Sequence, residues 1–357
     1  METSGRSKVD SNKRSQYLDL LRIMAIFMVL YNHHSVYNFF LIRGKDDWIG
    51  VFSMVLSILS KCGPPLFFMI SGALLLGKEE SFTHIFTHRI LRFLIVMALC
   101  TLWSCWRNLN VTDIVSVFTG KLNWYLYAYL AFLLLLPLMR ILARGMDGKV
   151  RRWYILTCIL LGAVNGCLVY AEQSFSMFSY TAPLASAWGS AGWHMIFPLL
   201  GYVLSTPAPE EGGGSAPRNE DGKHLAALFL LAAASIACSV LLMRLDIQNS
   251  QAAHIEQLRQ HFVVAPACFV FLACRKMEKF LPEIPLLPVI SGCTFGIFLL
   301  DVNTEWRGRI YNFFDKMMGE TVGMFGTSLL AIAVEAVAFG FLIWAVKKIF
   351  PPARKLL

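Results

Sequence analysis

An aspartate, an arginine and a histidine are set inside one apolar run near the start of the chain. The run is Tyr17-Leu-Asp-Leu-Leu-Arg-Ile-Met-Ala-Ile-Phe-Met-Val-Leu-Tyr-Asn-His-His34, and the three residues are Asp19, Arg22 and His33. An ionisable side chain at membrane depth costs roughly 2.5–3.5 kcal/mol on insertion scales, so such residues are rare and face a protein interior or a watery cavity. Arg22 and His33 are eleven residues apart, which returns them to nearly the same helix face about 16 Å apart along the axis. Asp19 lies one turn below Arg22 on that side. One helix thus presents an acid, a fixed cation and an imidazole to a single interior.

Four further sets carry possible chemistry, each beside a plainer role. Arg89 and Arg92 stand at i and i+3 in Thr87-His-Arg-Ile-Leu-Arg-Phe93; arginines flanking a membrane helix anchor it, and two guanidinium groups one turn apart can also grip a phosphorylated ligand. Ser71 and Gly72 follow Gly63-Pro64-Pro65, which must interrupt its helix and suggests either a cavity lining or a close helix crossing. Trp124 and Tyr125 begin an apolar span and suit an interfacial belt or an aromatic platform for a sugar ring or acyl group. Asp301 ends the run Ser291-Gly-Cys-Thr-Phe-Gly-Ile-Phe-Leu-Leu-Asp-Val-Asn303; it is a solvated boundary acid, or, if that helix packs near the first, the partner that holds the His33 tautomer.

The elements that must position these residues are membrane helices. Of 357 residues 56% are hydrophobic and only 15% charged, against about 25% charged in soluble domains. The fold class expected is all-α and polytopic. Ten spans are placed at about 16–36, 49–77, 88–107, 121–142, 153–170, 189–206, 224–243, 258–275, 287–303 and 322–348. An even number puts both termini on one side, and the segments of that side carry more than twice the lysine and arginine of the other, so both termini are expected in the cytoplasm. Arg22 then lies near the cytoplasmic end of the first span and His33 near its outer end. The net charge of +9 is spread between spans and not gathered in one patch, so topology explains it better than nucleic acid. Residues 1–15 read as a disordered cytoplasmic tail and not a cleaved signal peptide, because the apolar run after them is long, charged within and lacks a small-residue cleavage site. Residues 16–349 form one domain with a flexible Gly- and Pro-rich cytoplasmic linker at 206–222, and 350–357 is a second tail. The nine cysteines sit mostly in apolar runs without metal or disulfide spacing, and no metal site is expected.

Several motifs taken together carry a resemblance. Leu18-Asp-Leu-Leu-Arg22 with His33, Phe67-Phe-Met-Ile-Ser-Gly72, Arg89-Ile-Leu-Arg92, Asn123-Trp-Tyr-Leu126, Phe197-Pro-Leu-Leu-Gly-Tyr202 and Thr294-Phe-Gly-Ile-Phe-Leu300 occur in an order and spacing that resembles the membrane acyltransferase 3 family. The resemblance spans nearly the whole chain. Two positions differ from the family's usual pattern: Asp301 stands where a histidine is common, and Asn123 replaces another.

The resemblance implies a ten-helix bacterial enzyme of the plasma (inner) membrane. It would move an acetyl or other short acyl group from cytoplasmic acyl-coenzyme A to a hydroxyl or amine of a cell-envelope carbohydrate such as a surface polysaccharide or glycolipid. It also implies roles for named residues: His33 as general base or acyl relay beside Arg22, Arg89 and Arg92 on the donor phosphates, Ser71 and Gly72 near the thioester, and Asp19 as a structural residue. Neither terminus is long enough for the soluble esterase-like domain of some relatives, so a stand-alone form is expected. A secondary transporter or flippase of an acyl or sugar compound is the competing class, since broken helices and intramembrane charge suit it equally; no paired halves are visible in the sequence. The acceptor's identity and the oligomeric state have no readable signal.

Overall fold

The computed structural model describes residues 15–42, 48–107, 124–175, 193–206, 220–250 and 255–356. Asn123, the proposed N-terminal tail up to residue 14, residues 207–219 of the proposed linker, and residues 43–47, 108–122, 176–192, 251–254 and 357 lie outside the described residues. Among the described residues there is no strand. The helices are α1 Gln16–Ile42, α2 Trp48–Ser60, α3 Gly63–Leu75, α4 Phe82–Ile85, a π-helical turn Phe86–Ile90, α5 Leu91–Arg107, α6 Trp124–Arg144, α7 Gly148–Phe175, α8 Trp193–Ser205, α9 Glu220–Ser250, α10 Ile255–His261, α11 Val264–Met277, α12 Leu287–Ser291, α13 Thr294–Asn303, α14 Trp306–Ile349 and α15 Ala353–Leu356.

Among the described residues, five helical stretches are long and apolar enough to cross a membrane: Trp48–Leu75, Phe82–Cys100, Trp124–Arg144, Lys223–Asn249 and Phe325–Ile349. A sixth arises if Leu287–Asn303 and Trp306–Gly319, bent 80° from each other, form one broken span. Their outward faces expose Leu134, Leu138, Ile141, Val337 and Phe341, the apolar surface that a lipid phase covers and water does not. The protein is therefore a membrane protein. Other expected spans are helical but depart from a plain apolar rod: α8 is only 13 residues long, α10 and α11 are halves separated at Phe262 and Val263, and α1 carries the polar set itself.

α1 is the helix around which the rest is packed. It has neither proline nor glycine over 27 residues, so nothing interrupts its hydrogen-bond ladder for about 40 Å. Leu21, Ala25 and Leu30 are fully buried, and α1 contacts α2, α3, α11, α12, α13 and α14. The break expected at Gly63-Pro64-Pro65 falls just before it, at Lys61 and Cys62, and the two prolines sit in the first turn of α3, where their missing N–H groups cost no helical bond. Glycine is needed there because a Cβ on Gly63 would stand 2.8 Å from Val29 Cγ2 and 2.9 Å from the Ala25 carbonyl oxygen. A comparable interruption separates α12 from α13 at Gly292 and Cys293.

Two more glycines fix the second framework contact, where α3 crosses α8. A Cβ on Gly72 would stand 1.9 Å from the Pro198 carbonyl oxygen, and one on Gly201 would stand 1.9 Å from that of Met69. The helices approach backbone to backbone, as small residues allow. α14 is bent at Gly323, whose φ of 71° and ψ of 173° belong to a region open essentially to glycine alone. After it, α15 folds back so that Ala353 is buried and Leu356 reaches the interior cavity described below.

Candidate active site

A cavity of about 710 Å³ lies against α1 and is walled by α3, α5, α6 and α13. Arg22, His33, Ser71, Arg89, Arg92, Trp124 and Tyr125, seven of the residues singled out in the sequence, all line it. The arginines of the π-helical turn and α5 stand at one end with Leu356, and His33 stands at the other beside Asn32; Lys61 also lines the cavity. Aromatic rings line its walls: Tyr125 packs on Phe68 at 5.3 Å and on Phe298 at 5.2 Å between centroids, and Tyr129 packs on Phe93 at 5.0 Å. These are normal aromatic packing distances.

At the far end, His33 Nδ1 is bonded to Asp301 Oδ2. The Asp301 side chain is fully buried while that of His33 remains 26% exposed, and Arg307 holds the other Asp301 oxygen at 3.3 Å. A carboxylate on Nδ1 fixes the tautomer with the proton there and leaves Nε2 with a free lone pair. Because His33 lines the cavity and its Nδ1 is taken, Nε2 is the nitrogen available to a reactant. Asp301 is thus brought to His33, as expected if its helix packs near the first, although it does not itself line the cavity.

A second histidine, not singled out in the sequence, completes this polar layer. His34 Nε2 bonds Glu335 Oε2 at 2.8 Å, with both side chains fully buried, and Glu335 lies close enough to Asp301 for the two carboxyls to interact. The signal was present in the chain: Glu335 is an acid inside the apolar stretch 325–349, subject to the same rule that marked Asp19. Asp19 is 1% exposed and accepts hydrogen bonds from Arg22 at 2.8 Å and from the Ser291 hydroxyl at 2.6 Å. It therefore fastens α1 to α12 while holding Arg22 at the cavity wall.

The opposite end is less simple than two free arginines. Arg89 belongs to the π-helical turn Phe86–Ile90 and Arg92 to α5, and such turns recur at functional sites because they rephase the side chains. Arg89 gives Glu80 two bonds, Nε to Oε2 at 2.9 Å and a second through its terminal nitrogen to Oε1. Glu80 is also held by Arg140 at 2.9 Å, and the Arg89 hydrogen bond, then that of Arg140, holds its carboxyl down at about 2, far below the usual carboxylate range. Arg92 has no ion-pair partner among the described residues.

Two sequence readings change place. Gly72 is not among the residues that line the cavity; the Pro198 backbone occupies the space a side chain would need, so Gly72 serves the crossing of α3 and α8. Ser71 does line it, but its hydroxyl donates back to the Phe67 carbonyl at 2.9 Å and lies 3.4 Å from the Tyr129 hydroxyl. Among the described residues no group of histidine, cysteine and carboxylate side chains forms a metal cluster, and Cys62, Cys158, Cys268, Cys274 and Cys293 are buried free thiols.

No curated protein matches the chain, and neither does any solved structure. A family model described as an acyltransferase domain matches residues 15–345. That span begins just before α1 and ends within α14, so it contains every wall of the cavity except the end contributed by Leu356. The chain belongs to the membrane acyltransferase 3 family and is an acyltransferase.

Proposed function

We propose that the protein transfers an acetyl or other short acyl group from acyl-coenzyme A to a hydroxyl or amine of a cell-envelope carbohydrate. The observation that carries this reading is one continuous cavity joining Arg92 to the Asp301-held His33. The donor is a polyanion with a long slender arm. Its phosphates meet Arg92, with Arg89 and its Glu80 brace setting the charge around them, and the arm lies along the aromatic walls of α6 and α13 toward His33. A cavity of about 710 Å³ is within the usual range for small-molecule sites.

In this reading the acceptor oxygen attacks the thioester carbonyl while His33 Nε2 takes its proton. Collapse of the tetrahedral intermediate breaks the carbon–sulfur bond, and the proton passes from His33 to the departing thiolate. The products are the acyl ester and coenzyme A thiol. Asp301 positions the imidazole, and an acyl-histidine relay uses the same nitrogen in two steps. The reading also places both termini in the cytoplasm and the protein in the plasma membrane as a ten-span, multi-pass chain, consistent with the distribution of lysine and arginine. Donor then enters from the Arg89 side and acceptor from the His33 side.

The test is reconstitution into liposomes with radiolabelled acetyl-coenzyme A and a crude envelope polysaccharide fraction. Label should move to the polysaccharide with wild-type protein and fail to move with His33→Ala. Equal transfer by His33→Ala overturns the role of His33, and uptake of intact labelled compound without any ester overturns the enzymatic reading in favour of transport. Rapid quenching separates the two routes, since only the relay leaves label on protein.

A further inference from the structure

The cavity that holds His33 carries a second polar set that the proposed reaction does not use. Lys61 lies at the break between α2 and α3, inside a span otherwise apolar for 28 residues, yet its side chain is only 15% exposed and faces the cavity wall. Its ammonium group pairs with Glu256 of α10, whose side chain is 61% exposed. Glu256 also accepts from Arg259, and Gln260, one turn further along α10, lines the same wall. Asn32, next to His33 on α1, is there too.

A tie between α2 and α10 does not by itself call for a lysine, because apolar side chains would join two helices without the cost of removing a charge from water. What the set supplies is a mixture of donors and acceptors on flexible and planar side chains in the same cavity as the reacting imidazole. The same cavity also carries flat apolar faces: Trp124 is half exposed at the start of α6, next to Tyr125, which packs edge-on to Phe298. A ring carrying several hydroxyls, each both donor and acceptor, with a C–H face able to lie on an indole, is the ligand that uses both halves.

We infer that Lys61, Glu256 and Gln260 form the acceptor subsite and bind one polyhydroxylated sugar ring, Trp124 covering its face, so that a single hydroxyl is presented to His33. This rests on the reading of His33 as the group that receives the acceptor's proton. It places sugar recognition at a helix break and a neighbouring short helix within the bundle.

The experiment is a two-substrate kinetic series in proteoliposomes, varying acetyl-coenzyme A and the envelope polysaccharide fraction separately for wild type, Gln260→Leu, Glu256→Gln, Lys61→Met and Lys61→Arg. Each of the first three variants should raise the half-saturating polysaccharide concentration tenfold or more while the half-saturating donor concentration stays as in wild type. Lys61→Arg should recover most of the loss, because it keeps the charge and the pairing with Glu256. Lys61→Met can fail to fold; Gln260 carries no charge to form an ion pair, so Gln260→Leu still tests the subsite, with thermal unfolding in detergent as the check on its fold. Wild-type polysaccharide dependence in folded Gln260→Leu and Glu256→Gln overturns the subsite, as does an equal rise for both substrates. If wild type transfers no label, the reaction itself is wrong and the subsite falls with it.

Discussion

His33 and Asp301 are 268 residues apart in the chain and share a hydrogen bond in the fold, Nδ1 to Oδ2. The carboxylate is wholly buried and braced from behind by Arg307, so it has one ring nitrogen to act on and little freedom to leave it. Asp301→Asn should keep the side chain's shape and lose its hold on the tautomer. Transfer should fall about 10²–10⁴-fold in kcat with donor KM nearly unchanged. A fall in donor binding instead, measured by calorimetry with a non-hydrolysable thioether analogue, would show that Asp301 acts on the donor and not through the imidazole.

The two arginines of the proposed donor end should separate. Arg92→Ala removes a cation with no ion-pair partner among the described residues, and loss of one charge-assisted bond of about 1.5–3 kcal/mol predicts a donor KM higher by about 10–100-fold. Arg89→Ala opens the bidentate contact with Glu80, so its main effect should be a lower melting temperature in detergent, with the smaller change in donor KM. The reverse ranking in steady-state kinetics would make Arg89 the phosphate contact.

Glu80 gives the fold an acid-sensitive clasp. Arg89, and after it Arg140, holds the Glu80 carboxyl at about 2, down from an ordinary value of 4.5. The folded state thus favours the ionised form more than the unfolded state does. The stabilisation is complete above the ordinary value and is lost as pH falls from there through about 2. Wild type should therefore lose melting temperature between about pH 5 and pH 3 more steeply than Glu80→Gln, to an extent of about a few degrees. Parallel profiles for the two proteins would mean that Glu80 carries no such share.

Gly72 offers a packing test independent of chemistry. A methyl group there meets the Pro198 carbonyl oxygen at 1.9 Å, and backbone cannot rotate aside as a side chain can. Gly72→Ala should destabilise the α3–α8 pair by about 1–3 kcal/mol or prevent folding, and Gly201→Ala should do the same from the other side. A folded Gly72→Ala protein with wild-type melting temperature and a raised donor KM would return Gly72 to the donor site.

The parts of this architecture that could be read from the chain were those in which polarity contradicts its surroundings. Asp19, Arg22 and His33 stood out because an apolar run does not tolerate them without a partner, and the same reasoning reached Asp301 once its helix was allowed near α1. Gly63-Pro64-Pro65 announced its break because proline lacks the hydrogen that the ladder needs. The interruption at Gly292 and Cys293 has no such residue within it and was not visible. Glu80 was hidden for another reason: a loop acid is ordinary in sequence, and only the fold brings Arg89 and Arg140 to it from α4's continuation and from α6. Gly72 was ambiguous because one glycine serves a close ligand and a close helix equally well; the position of Pro198 shows the close helix.

The cavity also has an electrical consequence. In the proposed topology, a hollow reaching from Arg92 to His33 would thin the insulating part of the bilayer at that place, and transmembrane voltage falls across what insulates, at about 2.3 kcal/mol per elementary charge per 100 mV. A charged cargo carried along it would be driven or opposed by that voltage. The proposed exchange sends an acyl group one way and a hydrogen the other between neutral reactive groups, so no net charge crosses. Turnover in energised and in uncoupled vesicles should then be the same, and the cell's membrane potential would act as neither fuel nor brake.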